Sequence, residues 1–310
     1  MLYFIVNEKS KSGNAKQIWK EIGEVLKVRN VSYQAFVSEY RGHAGKLAAE
    51  ICAMDDNDIC LVAVGGDGTA NEVINGITDF EKVRFGVIPT GSGNDLARGL
   101  SLSKDPKNGA IHILNAMKKS REDTWCMDLG EVNFGEKKRL FAISAGIGLD
   151  ALVCKKALKS TIKDILNKIR LGKLTYLVLT VQSLFTMQTA DAEIFFDREE
   201  GLQKKRMIFT AAMNFKAEGG GVPMAPAASA CDGKLSFCEA AGIPKWRTFL
   251  CLPFLVAAKH TSIHGFSVTD AKDCTIRLSR PMVVHADGEY CGEVTEVHFH
   301  CLPGKLRVLK

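Results

Sequence analysis

The sequence lacks the features that would indicate a secreted or membrane-spanning protein. Its ten cysteines include no C-x-x-C pair, so we expect reduced thiols in a cytoplasmic protein rather than a zinc site or a disulfide framework. The longest apolar run, Phe249 to Ala258, has about half the length of a membrane span and contains Pro253. The amino-terminal apolar run is short and has no basic region before it, so no signal peptide is predicted.

Composition and charge are those of an ordinary globular protein. Apolar residues make up 46% of the chain and charged residues 25%, which leaves no indication of disorder. The net charge of +6 is too small to indicate a nucleic-acid partner, and none is predicted. Such a charge suits anionic nucleotides or an anionic membrane surface. The length of 310 residues favours two domains.

The first third of the chain alternates between predicted strands and helices. Apolar runs predict strands at Leu2–Val6, Val31–Val37, Ile59–Val64 and Arg84–Ile88, and apolar periodicity predicts helices at Ala15–Lys27, His43–Met54 and Ala70–Ile77. Repeated βα units imply a doubly wound parallel sheet that binds ligands at the carboxyl ends of its strands.

After about residue 125 the pattern changes to short strands separated by turns, which is typical of an antiparallel sandwich or barrel. The predicted strands are Met127–Gly130, Leu140–Ser144, Ala192–Phe196, Met207–Met213, Lys234–Glu239, Cys274–Leu278, Met282–Val284 and Val294–His298. A helical insertion is predicted at 155–185. We therefore expect an α/β domain at 1–125 and a β-sandwich domain at 126–301. A tail at about 302–310 is expected to pack back on the first domain, with the site in the cleft between the two domains.

The most informative stretch is a glycine turn that follows the third predicted strand. Gly65 and Gly66 allow a sharp turn and leave no Cβ between the backbone and a ligand. Thr69 is the predicted N-cap of helix Ala70–Ile77, whose free N–H groups would face an anion. Asp67 would repel a phosphate unless a divalent cation or a transferable proton lay between them. The turn therefore indicates Mg-nucleotide chemistry, and a glycine-rich surface turn with a solvated carboxylate is the alternative.

A second glycine turn follows the fourth predicted strand and again opens a helix. Ser92 and the backbone of its neighbouring glycines are placed to bind phosphate oxygens. Asp95 is a second carboxylate at a predicted phosphate site, and with Asp67 it forms a candidate Mg²⁺ cradle. The alternative is that Asn94 and Asp95 merely cap the helix.

Together these turns resemble the diacylglycerol kinase catalytic family of lipid kinases, which includes sphingosine kinases and soluble bacterial diacylglycerol kinases. The resemblance covers nearly the whole chain. The segment after Val6 is similar to the family's Asn-Pro-x-Ser-Gly phosphate loop, although Glu8 replaces the proline, Lys11 replaces the glycine, and Gly13 is displaced by two residues. The resemblance implies ATP and Mg²⁺ as cofactors, and an α/β plus all-β fold whose doubly wound first domain is phosphofructokinase- or NAD kinase-like. It implies nucleotide-binding roles for Asn7, Ser10, Ser38, Gly65, Gly66, Gly68, Thr69, Asn71, Glu72, Gly91, Ser92 and Asn94, and catalytic roles for Asp67 and Asp95.

The resemblance also assigns residues in the second domain. The segments Gly146–Ala151, Asn214, Gly219–Gly221, Pro226-Ala227 and Asp232–Leu235 match family motifs. By this analogy the Asp232 side chain binds a structural Mg²⁺, together with carbonyls near Ser229 and Lys234; a hairpin turn is the alternative. Glu289, in an Asp-Gly-Glu motif, is implied as the general base for a substrate hydroxyl. His285, His298 and His300 show no ligand spacing and are interpreted as ordinary sheet residues.

Three functions compete at this point. The first is ATP-dependent phosphorylation of a membrane lipid hydroxyl, with diacylglycerol and phosphatidic acid as the first candidate substrate and product. The second is a soluble-metabolite kinase of the NAD kinase type, which usually follows Gly-Gly-Asp-Gly-Thr with a different glycine turn from the one that begins at Pro89 here. The third is a non-catalytic lipid or nucleotide sensor, which need not keep Asp67, Asp95 and Glu289 together. The first is preferred, as a cytoplasmic enzyme peripherally associated with the membrane; a homodimer is possible.

A candidate membrane contact lies at 155–174. Four apolar residues share one narrow helical face, and a basic flank adjoins it. The apolar residues are Leu158, Ile162, Ile165 and Ile169, and the basic ones are Lys156, Lys159, Lys163 and Arg170, with Asp164 the only acid. We expect this flank to meet anionic headgroups; the alternative is a helix that covers the sheet of the second domain with its lysines solvated.

Overall fold

A computed structural model of the chain describes residues 1–10, 15–159, 172–197 and 200–310. The chain divides into two compact units, Met1–Leu129 with Pro303–Lys310, and Gly130–Leu302. The carboxyl-terminal tail belongs to the first unit: the Gly304 N–H donates to the Asp128 carboxylate at 2.7 Å, and Lys310 Nζ lies 3.7 Å from the centroid of the Trp125 ring.

The first unit is built on a parallel sheet. Its strands are β1 Leu2–Val6, β2 Gln34–Val37, β3 Ile59–Gly65 and β4 Val83–Pro89, in the order β4-β3-β1-β2. The end of the last strand of the chain adds a fifth member, because Arg307 and Val308 pair in parallel with Arg84 and Phe85 of β4. Every residue of β1, β3 and β4 is buried, as expected for strands that are covered on both faces.

Helices follow these strands; those at 15–28, 43–52 and 67–76 lie in segments where apolar periodicity predicts helices, whereas the helix at 106–116 was not predicted from the sequence. They are α1 Ala15–Val28, α2 His43–Cys52, α3 Asp67–Gly76, α4 Asp95–Gly99 and α5 Pro106–Ala116. Alternate residues of β1, including Phe4, pack with Ile22 of α1 and Ile113 of α5 in one core. Burying each such side chain contributes about 1.5–3 kcal/mol. The packed sheet and helices therefore fix the positions of the strand ends, from which the glycine turns begin.

Helix α3 begins earlier than the sequence predicts. It starts at Asp67 rather than Ala70, and Gly66, with extended backbone angles, is its N-cap residue. Thr69 is therefore not the N-cap but lies inside the first turn. A Cβ on Gly65 would stand only 2.5 Å from the Thr69 Cβ, so glycine at that position allows the helix to start directly at the strand end. A carboxylate in the first turn is favoured by the partial positive charge of the helix N-terminus.

The second unit is an antiparallel β-sandwich. Its strands, two of which extend into the first unit, are β5 Trp125–Phe134, β6 Lys137–Phe141, β7 Ser144–Gly148, β8 Ala190–Phe196, β9 Leu202–Met207, β10 Phe209–Met213, β11 Leu235–Ala240, β12 Phe266–Ala271, β13 Asp273–Ala286 and β14 Glu289–Val308. Strands pair in the order β12-β11-β10-β7-β13-β14, and β8 pairs with both β13 and β9. Two segments that were predicted as separate strands form one strand, β13, whose register with β14 shifts between Arg277 and Met282. Sequence reasoning missed β9 and β12, and the single predicted strand Leu140–Ser144 covers the end of β6 and the start of β7.

Three helices are described in the second unit: α6 Leu149–Lys159, α7 Gly172–Thr186 and α8 Lys245–Val256. The predicted insertion at 155–185 thus includes parts of α6 and α7, but its middle lies outside the described residues, as do most of the side chains of the predicted basic flank. Of that flank, the described side chain of Lys156 donates to Thr186 Oγ1 at 3.1 Å. No helix within the described ranges combines the length and the hydropathy needed to cross a membrane.

Candidate active site

The carboxyl ends of β1, β3 and β4 meet at one edge of the first unit's sheet. The Asn7 N–H donates to the Val64 carbonyl at 2.9 Å, and the Thr90 N–H donates to the Gly65 carbonyl at 2.8 Å. The two glycine turns touch backbone to backbone, because a Cβ on Gly91 would lie 2.6 Å from the Gly66 Cα. Any side chain at Gly91 would force the turns apart, so packing alone gives a reason for glycine there, and its nucleotide-binding role stays a prediction.

Polar side chains from the three strand ends join in pairs at this edge. The Asn7 amide donates to Thr69 Oγ1 at 3.0 Å, and Ser10 Oγ lies 2.6 Å from Thr90 Oγ1. Asn7 and Ser10 are predicted nucleotide ligands, and the structure places both beside the glycine turns; Thr90 was not singled out from the sequence. Lys11 and Gly13 of the compared phosphate loop lie outside the described residues.

The two predicted metal-binding carboxylates converge on one glycine. A Cβ on Gly93 would lie 3.0 Å from Asp67 Oδ2 and 3.6 Å from Asp95 Oδ2. The second oxygen of Asp67 accepts the Leu96 N–H at 3.0 Å. The second oxygen of Asp95, which is largely buried, is ion-paired with the Arg98 guanidinium. One oxygen of Asp67 and one of Asp95 therefore lie beside the space that a side chain at position 93 would occupy. Two carboxylate oxygens in such a position suit Mg²⁺.

Asn94 holds the second turn closed. Its backbone is left-handed with φ 53°, and its side chain makes no capping bond to α4. Instead the Gly91 N–H donates to Asn94 Oδ1, and Asn94 Nδ2 donates to the Gly91 carbonyl, both at 2.9 Å. The alternative that the Asn94 side chain only caps the helix is therefore wrong. Ser92 is exposed at the tip of the turn, where its hydroxyl is accessible to a ligand.

Several other predicted nucleotide ligands have structural contacts. Glu72 Oε1 accepts the Gly42 N–H at 2.8 Å, which holds the loop before α2. Asn71 is buried, and its backbone carbonyl accepts the Asn75 amide at 2.9 Å. Ser38 is buried, and its N–H donates to the Val6 carbonyl at 2.8 Å. Gly68 lies in the first turn of α3. Glu72 and Ser38 thus hold the segments between β2 and α2, and the nucleotide-binding roles of these residues stay predictions.

In the second unit, the Asp-Gly-Glu motif is a two-residue hairpin between β13 and β14. Asp287 and Gly288 have φ of 48° and 81°, as a type I′ turn requires, and Ala286 pairs with Glu289. The Asp287 carboxylate accepts the N–H groups of Ala142 and Ile143 at 2.8 Å and that of Ser144 at 3.1 Å. Glu289, half-buried, therefore follows a turn that three backbone donors hold in place. Sequence reasoning missed this role of Asp287.

His285, interpreted from the sequence as an ordinary sheet residue, lies in a cluster of buried polar groups. Its ring is buried, with Nε2 3.1 Å from Asp150 Oδ2, and its Nδ1 accepts the Gly288 N–H at 3.2 Å. Because Nδ1 is an acceptor, the neutral ring carries its proton on Nε2 and donates it to Asp150. Glu218 joins this cluster, since ligand atoms of Asp150, Glu218 and His285 all lie within 4.8 Å of one another, and Ser144 Oγ donates to Glu218. The cluster supports the hairpin from its buried side.

Opposing effects act on the pKa of His285. Burial lowers the pKa of the imidazole, whereas the hydrogen bond to Asp150 and the negative charges of Asp150, Glu218 and Asp287 raise it, and the balance lies above the ordinary value. The unfolded chain has a histidine pKa of about 6.5. Protonation of His285 therefore stabilises the folded state at low pH. The net contribution is reduced by the loss of the hydrogen bond from the Gly288 N–H, and it disappears as the pH rises through the native pKa.

We expect the free energy of unfolding to show this dependence and His285→Gln to remove it. Each pKa unit of difference between the folded and unfolded states corresponds to about 1.4 kcal/mol. Urea unfolding between about pH 5.5 and 8.5 measures the slope, and His112→Gln on the exposed face of α5 is the control. An identical pH slope in wild type and His285→Gln would contradict the assignment.

The proposed structural metal position is an exposed turn before β11. Asp232 Oδ1 accepts the Lys234 N–H at 3.1 Å, and Gly233 has φ 75°. Ser229 Oγ lies 3.5 Å from Cys231 Sγ. A turn is therefore present at Asp232-Gly233, but it is not the hairpin between strands that was the alternative, because residues 214–234 contain only an isolated bridge between Glu218 and Val222 and no strand before β11. A donor set of one carboxylate and backbone carbonyls consists only of oxygen, as Mg²⁺ prefers, so the residues also fit a metal.

Comparison with known proteins identifies the family. Residues 1–127 match the family model described as "Diacylglycerol kinase catalytic domain", and residues 144–310 match "YegS C-terminal NAD kinase beta sandwich-like domain". The Bacillus subtilis protein named "Putative lipid kinase YtlR" is 30% identical over 311 residues, which cover 99% of this chain and 98% of that protein. The chain belongs to the diacylglycerol kinase catalytic-domain family. A B. subtilis "Diacylglycerol kinase" is 28% identical over 79% of this chain and 75% of its own length.

Solved structures agree with this fold. A "putative diacylglycerol kinase" from Bacillus anthracis str. Sterne superposes with a TM-score of 0.77 at 22% identity, covering 99% of this chain and 96% of that one. An Archaeoglobus fulgidus NAD kinase in complex with ATP reaches a TM-score of 0.55 at 13% identity, covering 100% of this chain and 94% of that one. The predicted α/β plus β-sandwich fold is thus confirmed for this member of the diacylglycerol kinase family.

Proposed function

We propose that this protein is an ATP-dependent lipid kinase that phosphorylates a hydroxyl group of a membrane lipid, with diacylglycerol as the first candidate. The observation that carries the proposal is the convergence of Asp67 and Asp95 on Gly93 beside two backbone-lined turns. Family membership adds the reaction class, and the curated relatives named diacylglycerol kinases add the acceptor. The proposal includes a peripheral contact with an anionic membrane surface.

The turns supply what phosphoryl transfer needs, namely positioning and stabilisation of charge. Helix α3 begins at Asp67, and the positive end of a helix dipole and the N–H groups of its first turn suit phosphate oxygens. Asp67 and Asp95 would hold Mg²⁺, which when bound neutralises charge on the phosphates. Arg98, paired with Asp95, keeps that carboxylate oriented and adds positive charge at the same turn.

Glu289 is the proposed proton acceptor. In the reaction the lipid hydroxyl gives its proton to the Glu289 carboxylate, its oxygen forms a bond to the γ-phosphorus of ATP, and the bond from that phosphorus to the bridging oxygen breaks to release ADP. A carboxylate at a fixed turn suits this role because a general base must be held within hydrogen-bond reach of its proton. The bonds to Asp287 and His285 hold the turn that carries Glu289.

One experiment separates the three candidate functions. Purified protein is incubated with γ-labelled ATP and Mg²⁺, together with diacylglycerol, monoacylglycerol, phosphatidylglycerol or a sphingoid base in detergent micelles, and with NAD in a parallel reaction. We expect label in a lipid product and none in NADP. Label in NADP alone would favour the metabolite kinase, and binding without label transfer in any reaction would favour the sensor.

A structural metal at Asp232 should show itself in thermal stability. We expect Mg²⁺ to raise the melting temperature of the wild type and not that of Asp232→Ala, because an ion that binds only the native state stabilises it by mass action. The control is Asp79→Ala, since Asp79 Oδ1 likewise accepts the N–H two residues later, that of Glu81, at 2.9 Å. Equal Mg²⁺ protection in both variants would leave Asp232 only its role in the turn.

A further inference from the structure

Helix α8 presents most of its large apolar residues to solvent. The buried side chains are Thr248, Cys251 and Leu255. The outward residues follow the spacing i, i+3, i+4, i+7 and i+8, which places them on one helical face. They are Trp246, Phe249, Leu250, Pro253 and Phe254, with exposed fractions of 59% for Trp246, 56% for Leu250 and 49% for Phe254. A surface helix normally has polar residues on that face, so this helix has the reverse orientation.

The neighbouring helix α7 extends the exposed apolar surface. Leu177 and Val178 are each about half exposed, as is Phe185, whose ring centroid lies 6.1 Å from that of Phe249. Lys245 Nζ ties the two helices together by donating to the carbonyls of Phe185, at 3.3 Å, and Met187. We call this surface the apolar face. It comprises Leu177, Val178, Phe185, Trp246, Phe249, Leu250 and Phe254.

The charged residues in the sequences of α7 and α8 are all basic. The sequences of α7 and α8 contain no aspartate or glutamate. Arg247 is exposed on α8, and Lys259 is exposed three residues beyond its end. An exposed apolar surface on two helices that carry basic residues and no acid is complementary to an anionic lipid surface. Tryptophan is enriched at the level of the headgroups, which suits Trp246.

A second copy of the chain fits this surface less well. An isologous dimer would place the same patch on both sides of the interface. The exposed Arg247 and Lys259 of one copy would then approach those of the other, with no acid of either helix to compensate them. At 12 residues, α8 is also too short to span a bilayer. It is suited to lie in the interface plane.

We propose that the apolar face inserts shallowly into an anionic lipid bilayer and docks the protein on the surface that holds its substrate. This inference rests on the proposed lipid-kinase function for its purpose, although membrane binding itself can be measured without ATP or turnover. It places the membrane contact on the apolar residues of α7 and α8 rather than on the basic flank predicted at 155–174. The apolar side chains supply the insertion, and Arg247 and Lys259 supply the preference for anionic headgroups.

Binding is tested with the full chain and vesicles of phosphatidylglycerol and phosphatidylcholine. The test variant is Trp246→Ser, Leu250→Gln and Phe254→Ser together; the control is Val28→Ser with Leu202→Ser, two exposed apolar residues elsewhere. We expect the triple variant to bind vesicles about tenfold more weakly or worse, because it loses three inserted apolar side chains, and the control to bind as wild type. Circular dichroism confirms that both are folded. Equal vesicle binding by the triple variant and wild type would overturn the proposal.

A depth measurement gives an independent readout. In a variant with Trp19→Phe and Trp125→Phe, Trp246 is the only tryptophan. Vesicles should shift its fluorescence to shorter wavelength, and brominated acyl chains should quench it. If vesicles leave the Trp246 fluorescence unchanged, the apolar face does not insert into the bilayer and the proposal is wrong. The proposal is also wrong if the wild type is a dimer and the triple substitution dissociates it, because a second copy of the chain would then cover the apolar face.

Activity measurements distinguish a failure of the docking proposal from a failure of the proposed kinase function. The triple variant should keep wild-type activity on detergent-dispersed diacylglycerol and lose it on vesicles. If wild type binds vesicles but phosphorylates no lipid in either form, the kinase proposal fails while the docking proposal stands. Full activity of the triple variant on vesicles would overturn the docking proposal alone.

Discussion

Asp67→Asn should lower lipid-kinase turnover by at least about 10²-fold, on the scale of removing one preorganised electrostatic contact to a transition state, while leaving the protein folded. Asparagine keeps an oxygen that can accept the Leu96 N–H, now bonded to Asp67 Oδ1 at 3.0 Å. It removes the negative charge that faces Gly93 together with Asp95. The substitution therefore tests chemistry without disturbing folding, because the hydrogen bond from the Leu96 N–H is kept and the negative charge that would bind the metal is lost.

Initial rates at saturating ATP and dispersed lipid measure this effect, with thermal melting as the check on folding. Asp105→Asn is the matched control, because Asp105 also lies at a helix N-terminus and accepts a backbone N–H, that of Lys107, at 2.8 Å. The control should keep full turnover. Near-normal turnover of Asp67→Asn would remove Asp67 from the mechanism. Asp67→Ala should be equally inactive and less stable, because it leaves the Leu96 N–H without this acceptor.

Glu289→Gln should lose about 10²–10⁴-fold in turnover, the usual contribution of a general base, with little change in ATP binding. The substitution keeps the size of the side chain and the hairpin, whose register pairs Glu289 with Ala286. Turnover and nucleotide binding are measured separately, the latter by isothermal titration without lipid. Glu296→Gln, an exposed carboxylate on the same strand, is the control and should behave as wild type. A loss confined to ATP affinity would place Glu289 with the metal-binding residues instead.

The first unit could be predicted almost element by element. Apolar runs such as Ile59–Gly65 are buried on both faces, and periodic segments such as Ala15–Val28 bury one face, so local pattern and final environment agree. The errors are helix α5, which was not predicted, and the starts and ends of other elements. Helix α3 begins at Asp67 because Gly65 has no Cβ that would collide with Thr69. Sequence rules for helix capping do not take such a contact into account.

The second unit was harder to predict because its elements depend on partners far away in sequence. Strand β12 has an ordinary mixed composition and is a strand because it pairs with β11 over six residues. The apolar run that includes Phe249 and Pro253 is equally compatible with a buried helix and an exposed one. Only its packing through Cys251 and Leu255 determines which side faces solvent, and that choice creates the apolar face.

By itself the sequence determined the chemistry of the two glycine turns, their positions at strand ends, and the family that carries them. These are local properties, because a turn, a helix start and an apolar strand each span a few neighbouring residues. Only the tertiary structure decided that the oxygens of Asp67 and Asp95 meet at Gly93, and that Asp287 holds the loop at Ala142–Ser144. It also decided that Asp150 reaches His285. Such contacts join residues up to 145 positions apart, and they form because strand pairing brings distant segments to the same edge of a sheet.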